Sequence, residues 1–368
     1  MARRRRLARV GLLAASGLLG LLLAELTIRA LRLVPPYHPE AEIAIQLHHE
    51  DPNGPIRLTP GWEGWVSGHW TRINERGFRD RLFERTKPAG VRRVAVFGDS
   101  YTMGDGVALE ESLPKQLEAG LRERGQACEV MNCAVSATNS WNQLPLVREV
   151  LEEYAPDLVI LGYNLNDFDN PTRTRFDALR AAGREFSVGA DGRVRLVAPR
   201  LPWRARIRQA LYASSHLDRF VTRLRRRAAS GEPSRREALE RWIEAGDHEH
   251  SIEAVARMQE ACEKAGVPFL VALLPDSLRL PDDFSDYGAY PFIDEHAWVL
   301  SALEERGVEG VDLVRHFEGR RADDLAVHPT DRHFNALGNG LLAEGLARIL
   351  TPRLGNSPAM PAPDGGPK

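Results

Sequence analysis

The chain has 368 residues, of which 43% are hydrophobic and 27% charged; that balance buries a core and excludes a coiled coil, a collagen or a disordered polymer. Its 49 basic residues against 51 acidic ones leave a formal net charge of -2, so no whole-chain basic field draws in nucleic acid. Cys128, Cys133 and Cys262 lie in apolar contexts without a Cys-x-x-Cys pair, which excludes zinc or dithiol chemistry on spacing; Cys128 and Cys133 could pair in an exported domain, but small buried thiols are the expectation.

Arg3, Arg4, Arg5, Arg6 and Arg9 precede an uncharged, leucine-rich run from Val10 to Ala24, followed by Glu25, Arg29 and Arg32. A helix carried from Val10 to Ile28 is about 28 Å long, near the hydrocarbon thickness of a bilayer. A signal peptide cut after Ala24 would put the bulky Leu22 where a small residue is wanted. Residues 1–36 therefore read as a basic cytoplasmic tip and an uncleaved transmembrane signal-anchor. The arginine cluster holds the tip in the cytoplasm, which in a bacterium makes this a single-pass inner-membrane protein with its soluble part in the periplasm.

Residues 37–92 read as a lead-in of short strands and turns. The main domain, 93–352, opens around Arg92 to Phe97, where Val94, Ala95, Val96 and Phe97 form a continuous apolar run stopped by Gly98, the pattern of a buried parallel strand. Similar runs recur at Leu158 to Leu161, Phe269 to Leu274 and, more weakly, Val311 to Val314; helical patterns cover Glu111 to Arg124, Gln143 to Glu153, Ile252 to Lys264 and His296 to Glu305. The alternation predicts a parallel sheet with helices on both faces, and chemistry at the carboxyl ends of its strands. Residues 170–250 interrupt this rhythm with a hairpin around Ala190-Asp191-Gly192 and a basic helix through Arg204, Arg206, Arg208, Arg219, Arg223 and Arg225 to Arg227. That insert could cap the site or lie on anionic lipid, but a solvated basic face is the favoured reading. The Pro- and Gly-rich stretch from Thr351 onward, taken as a tail over 353–368, is expected to be disordered.

The chemistry starts where the first strand ends, in Val96-Phe97-Gly98-Asp99-Ser100-Tyr101-Thr102. A serine at a strand-to-helix turn exposes its hydroxyl and suits a nucleophile, although serine also caps helices; the tetrapeptide alone leaves both roles open. A serine nucleophile needs a base, most simply a histidine oriented by a carboxylate. Among 11 histidines, those of Asp247-His248-Glu249-His250 lack zinc-binding spacing and read as solvated loop. His333 stands directly before the C-terminal helix with Asp331 two residues upstream; Asp324 with His328 is the second-choice pair. Oxyanion donors could come from the asparagines of Gly162-Tyr163-Asn164-Leu165-Asn166-Asp167, or from backbone N–H groups of the turn Asn132 to Asn139.

These four segments, in this order, resemble the four blocks of the SGNH hydrolases, also called GDSL esterases and lipases. Gly98-Asp99-Ser100 resembles the nucleophile block, Asn166-Asp167 the asparagine block, and Asp331-Arg332-His333 with Phe334-Asn335 the acid and base block. Ile73-Asn74-Glu75-Arg76-Gly77-Phe78-Arg79 is similar to the lead-in of membrane-anchored bacterial members. The resemblance implies a three-layer α/β/α sandwich of flavodoxin type and ester hydrolysis through an acyl-serine, with no cofactor or metal. Ser100 is then the nucleophile, His333 the base and Asp331 its orienter, with the Asn166 side chain and the N–H groups of Ser100 and Ala137 forming the oxyanion hole. Two departures stand out: the family usually has glycine where Ala137 sits, and its acid three residues before the histidine, where this chain has Thr330. The expected substrate is an ester-bearing small molecule, lipid or acylated glycan. The alternatives are an O-acetyltransferase acting on an exported polysaccharide, which would need a membrane acyl-donor partner, and an inactive scaffold or carbohydrate-binding module.

Overall fold

In the computed structural model the described residues are 2–31, 33–34, 48–49, 56–168, 186–188, 194–196, 203–204, 207, 214–230, 248–276, 284, 286–328 and 331–355. Residues 189–193, where the sequence predicts the hairpin's turn, together with Arg206, Arg208, Asp247, Thr330 and the residues beyond 355, lie outside them.

Helix α1 spans Ala2–Ala30, longer than the apolar run because it also takes in the arginine tip. Its stretch Gly11–Ala30 is long and apolar enough to cross a membrane, and leucines from Leu12 to Leu26 stand more than half exposed. The lead-in folds into a hairpin, β1 (Glu63–Val66) and β2 (His69–Arg72), and then a loop, 73–91, that packs on the main domain. The Asn74 side chain organises this loop, accepting from the backbone N–H of Arg76 and Phe78 and donating to the carbonyls of Asp80 and Arg81.

The main domain is built on β3 (Arg92–Gly98), α2 (Ser100–Met103), α3 (Leu113–Glu123), β4 (Cys128–Asn132), α4 (Ser140–Tyr154) and β5 (Leu158–Tyr163). All five sheet strands are parallel, in the order β9-β8-β5-β3-β4, where β8 is Phe269–Leu273 and β9 is Gly310–Asp312. Counted along the chain this is 2-1-3-4-5, the flavodoxin-like doubly wound order, with its reversal between β3 and β5. Strand β4 is an addition to the four apolar runs seen in the sequence. Its charged Glu129 is accommodated by the fully buried Arg93, whose Nε donates to Oε1 at 2.6 Å. Val94 to Phe97 are fully buried because helices cover both faces; a fibre of continuous apolar residues is what such a strand requires.

The insert contributes a hairpin, β6 (Phe186–Val188) with β7 (Val194–Leu196), and α5 (His216–Ser230). The start of α5 rests on α1: Glu25 accepts from the backbone N–H of His216 at 3.0 Å and Leu217 at 2.7 Å, and from the Ser215 hydroxyl at 3.1 Å. Helix α6 (His248–Ala265) starts earlier than expected, so His248 and His250 belong to its first turn rather than to a loop, and His250 stacks on Trp141. Helix α7 (Ile293–Glu304) joins β8 to β9, and after β9 come α8 (Ala322–Leu325), the hairpin β10 (Ala326–His328) with β11 (Asp331–Phe334), and α9 (Ala336–Leu354). Helix α9 packs against α3, and α4 against α6, giving the outer layers. It also runs through Thr351 to Leu354, where the sequence favoured disorder; the Arg353–Glu309 ion pair at 2.6 Å helps to hold that last turn. The three cysteines are buried and free; Cys128 and Cys133 lie on one strand and its extension, which rules out the pairing allowed by the sequence.

Candidate active site

Strand β3 ends at Gly98, whose φ of +152° and close approach to the Thr102 side chain leave no room for a Cβ. Asp99 then caps α2, its carboxylate accepting from the Tyr101 N–H at 2.9 Å, and Ser100 opens the helix. The Ser100 hydroxyl lies 2.8 Å from His333 Nε2, and His333 Nδ1 lies 2.6 Å from Asp331 Oδ1. Asp331 Oδ1 also accepts from the His333 N–H at 3.3 Å. Strand β11 therefore presents both side chains from alternate positions, two residues apart on one face, and this makes the shortened spacing workable. The Tyr101 ring packs on the imidazole with centroids 4.9 Å apart.

The second-choice pair is not at the serine. Asp324 is exposed on α8 and its backbone carbonyl accepts from Asn335 Nδ2, while His328 is buried on β10.

Asn166 follows β5 in a 3-10 turn, Leu165–Phe168, and its Nδ2 donates to Asp99 Oδ2 at 2.5 Å. Asn166 Oδ1 is buried with no hydrogen-bond partner among the described residues. Asp167 accepts from the Ser140 hydroxyl at 3.1 Å and ties this turn to α4. Ala137 lies exposed in the turn between β4 and α4 with φ +58°. The position thus keeps the left-handed backbone that glycine adopts freely although it carries a Cβ.

Several residues that the sequence did not assign complete the surroundings. Arg79 is buried and donates to the carbonyls of Met103 at 2.9 Å and of Gly104 and Val107 at 2.5 Å, which explains the arginine of the lead-in motif: it ties off the loop after α2. Asp80 accepts from Lys115 Nζ at 2.9 Å and the Asn132 N–H at 2.8 Å. Asp105 is buried and accepts from the Ser136 hydroxyl at 2.9 Å. An acid held between two glycines directly after the serine helix was its only signal in the sequence.

Burial pushes the Asp99 and Asp105 carboxyls up from their ordinary values. Burial works against the charged form of His333 too, but the Asp331 hydrogen bond and the charges of Asp105, Asp331 and Asp99 outweigh it, and the imidazole pKa is raised. Asp331 moves the other way: burial opposes ionisation, and the hydrogen bond and charge of His333 overcome it. No group of three or more metal-ligating side chains exists among the described residues.

A family model of GDSL-like lipases and acylhydrolases matches residues 96–341. An arylesterase of Vibrio mimicus is 33% identical over 75 residues, 20% of this chain and 38% of that protein, so the match spans well under half of the relative's length. Among solved structures, TesA is 16% identical with a TM-score of 0.40 over 71% of this chain and 99% of its own. The esterase EstA of Pseudoalteromonas sp. is 12% identical with a TM-score of 0.41 over 72% of this chain and 100% of its own. With the matched segment covering more than half of the sequence, the chain belongs to the GDSL-like lipase/acylhydrolase family.

Proposed function

We propose that the protein is a membrane-anchored serine ester hydrolase, a carboxylesterase or deacetylase, whose catalytic domain faces the periplasm. The observation that carries this reading is the unbroken relay from Ser100 through His333 to Asp331 at the reversal of the sheet order. His333 Nε2 takes the hydroxyl proton as Ser100 Oγ attacks the ester carbonyl, and Asp331 holds Nδ1 and stabilises the imidazolium. The tetrahedral oxyanion is met by the N–H groups of Ser100 and Ala137 and the Asn166 amide. Collapse breaks the ester C–O bond, and the imidazolium gives its proton to the departing alcohol. Water then attacks the acyl-serine with His333 again as base, releasing the acid and free Ser100. Helix α1 supports an uncleaved anchor by its length and exposed leucines, and its arginine tip supports the outward orientation of the domain.

The test is stopped-flow hydrolysis of p-nitrophenyl acetate by the full chain in detergent. A burst of one p-nitrophenol per chain, absent from Ser100→Ala, is expected. Turnover that survives in Ser100→Ala would reject the reading. Acetyl transfer to an added oligosaccharide in place of release to water would redirect it to an acyltransferase.

A further inference from the structure

Glu25 is an acid within α1, close to its end at Ala30, and a carboxylate at that depth is costly unless it is partnered. Its partners come largely from the insert. Besides accepting from the Ser215 hydroxyl and the N–H groups of His216 and Leu217, Glu25 accepts from Arg29 Nε at 3.0 Å, and Arg29 Nε lies 3.1 Å from His216 Nδ1. The first turn of α5 is thereby fixed beside the last turns of α1, about 8 Å along the helix from Ala30. From there α5 carries two faces. Leu217, Phe220, Val221 and Leu224 recur at helical spacing on one stripe, while positions 219, 223 and 226 on the opposite one are all arginine. Five arginines against the single acid Asp218 give His216–Ser230 a formal charge of +4 with neutral histidine. Leu224, towards the far end of the apolar stripe, is 48% exposed, and Arg225 beside it is exposed too.

We propose that α5 is an interfacial helix, its apolar stripe seated in the membrane surface at the Ala30 end of α1 and its arginines among anionic phospholipid headgroups. This rests on reading α1 as a membrane anchor. A basic amphipathic helix with leucine and phenylalanine on its apolar side lies in the plane of such a surface, and each arginine held near anionic lipid adds to the attraction. Two features single out lipid as the occupant. The hold of Glu25 on its first turn puts α5 at the depth where the spanning helix ends, and its charge complements phospholipid headgroups. Trp203, upstream in the same insert, is 66% exposed with the Arg204 guanidinium 5.3 Å from its ring centroid, and tryptophan is a residue type of the membrane boundary. The solvated basic face favoured by the sequence would need no partner on α1. A docked α5 attaches the catalytic domain to the membrane at a second point.

The experiment labels the full-length Leu224→Cys protein with a polarity-sensitive NBD fluorophore, Cys128, Cys133 and Cys262 being buried. The protein is reconstituted in phosphatidylcholine vesicles with or without roughly one third phosphatidylglycerol. Quenching by a lipid spin-labelled near its headgroup reads the depth of α5. A Leu19→Cys probe, quenched by a lipid spin-labelled deep in its acyl chain, reads the anchor, and Tm confirms that each variant is folded. Strong quenching at position 224 is expected in the anionic vesicles. It should fall at least about twofold when the anionic lipid is left out, when salt is raised to about 0.5 M, or in the double variant Arg223→Gln with Arg226→Gln. A probe at position 224 that stays unquenched while position 19 is quenched would overturn the proposal with the anchor intact. Quenching at position 224 indifferent to lipid charge, salt and the two arginines would overturn the part given to anionic headgroups. An unquenched probe at position 19 would overturn the anchor itself, a separate result from either.

Discussion

The Ser136 hydroxyl donates to Asp105 across 2.9 Å, joining the turn that carries Ala137 to the loop that follows α2, the helix opened by Ser100. The two halves of the proposed oxyanion hole are thereby registered by one buried contact. Replacing Ser136 with alanine removes the donor and leaves a buried carboxyl with no hydroxyl partner. A loss of about 1 to 2 kcal/mol in stability is expected, along with a several-fold fall in kcat; denaturant titration and steady-state kinetics of Ser136→Ala check the pair.

Ala137 occupies φ +58°, where an L-residue with a Cβ loses roughly 1 to 2 kcal/mol relative to the right-handed region. Glycine removes that strain but loses about 0.4 to 1 kcal/mol through the freer unfolded chain. Ala137→Gly is therefore expected to stabilise slightly, by about 0.5 kcal/mol, and to keep the N–H and the activity. Ala137→Val, β-branched at the same φ, is expected to destabilise. Equal unfolding midpoints for all three proteins would show that the turn adjusts freely.

Asn166 holds Asp99 with one amide hydrogen, and in the proposed oxyanion hole the second would meet the substrate oxygen. Deleting one such donor typically removes about 3 kcal/mol of transition-state stabilisation, so Asn166→Ala should lose about a hundredfold in kcat with a smaller change in KM. Because the same change also strips a partner from the buried Asp99, Tm should be recorded beside the rate. An unchanged kcat would remove Asn166 from the site.

The raised pKa of His333 fixes the direction of the pH dependence. The base works only when neutral, so the acid limb of kcat/KM is expected above the ordinary imidazole value of about 6.5. Stability follows the same linkage. With a folded pKa above the unfolded one, His333 contributes stability that is full below about 6.5 and lost as pH rises through its folded pKa. Asp331, depressed in the fold, contributes stability present above about 3.9 and lost as pH falls through its folded pKa. Asp331→Asn should lower the acid limb and greatly reduce kcat; an unmoved limb would uncouple the two residues.

Much of the sheet could be read from the chain because strands buried on both faces must be continuously apolar, as Val94 to Phe97, Leu158 to Leu161 and Phe269 to Leu273 are. Strand β4 escaped because Glu129 breaks its run, and the arginine that accommodates it lies 36 residues earlier on a neighbouring strand. The grouping of Ser100, His333 and Asp331 was legible because a serine–base–acid relay asks for those residue types at the ends of elements. Arg79, Asp105 and Ser136 were not, since each acts through contacts between distant segments that carry no local periodicity. The helical form of Thr351 to Leu354 shows the same limit: composition argued for disorder, and an ion pair to Glu309 together with the burial of Leu354 extended the helix.

The most direct measurement is peptide mapping of the full-length protein after reaction with a fluorophosphonate, with wild type, Ser100→Ala and His333→Ala treated side by side. The account predicts one phosphonylated residue, Ser100, in the wild type, no labelling in Ser100→Ala, and labelling slowed by at least about a hundredfold in His333→Ala. A label on any other residue, or equal labelling with and without His333, would contradict it.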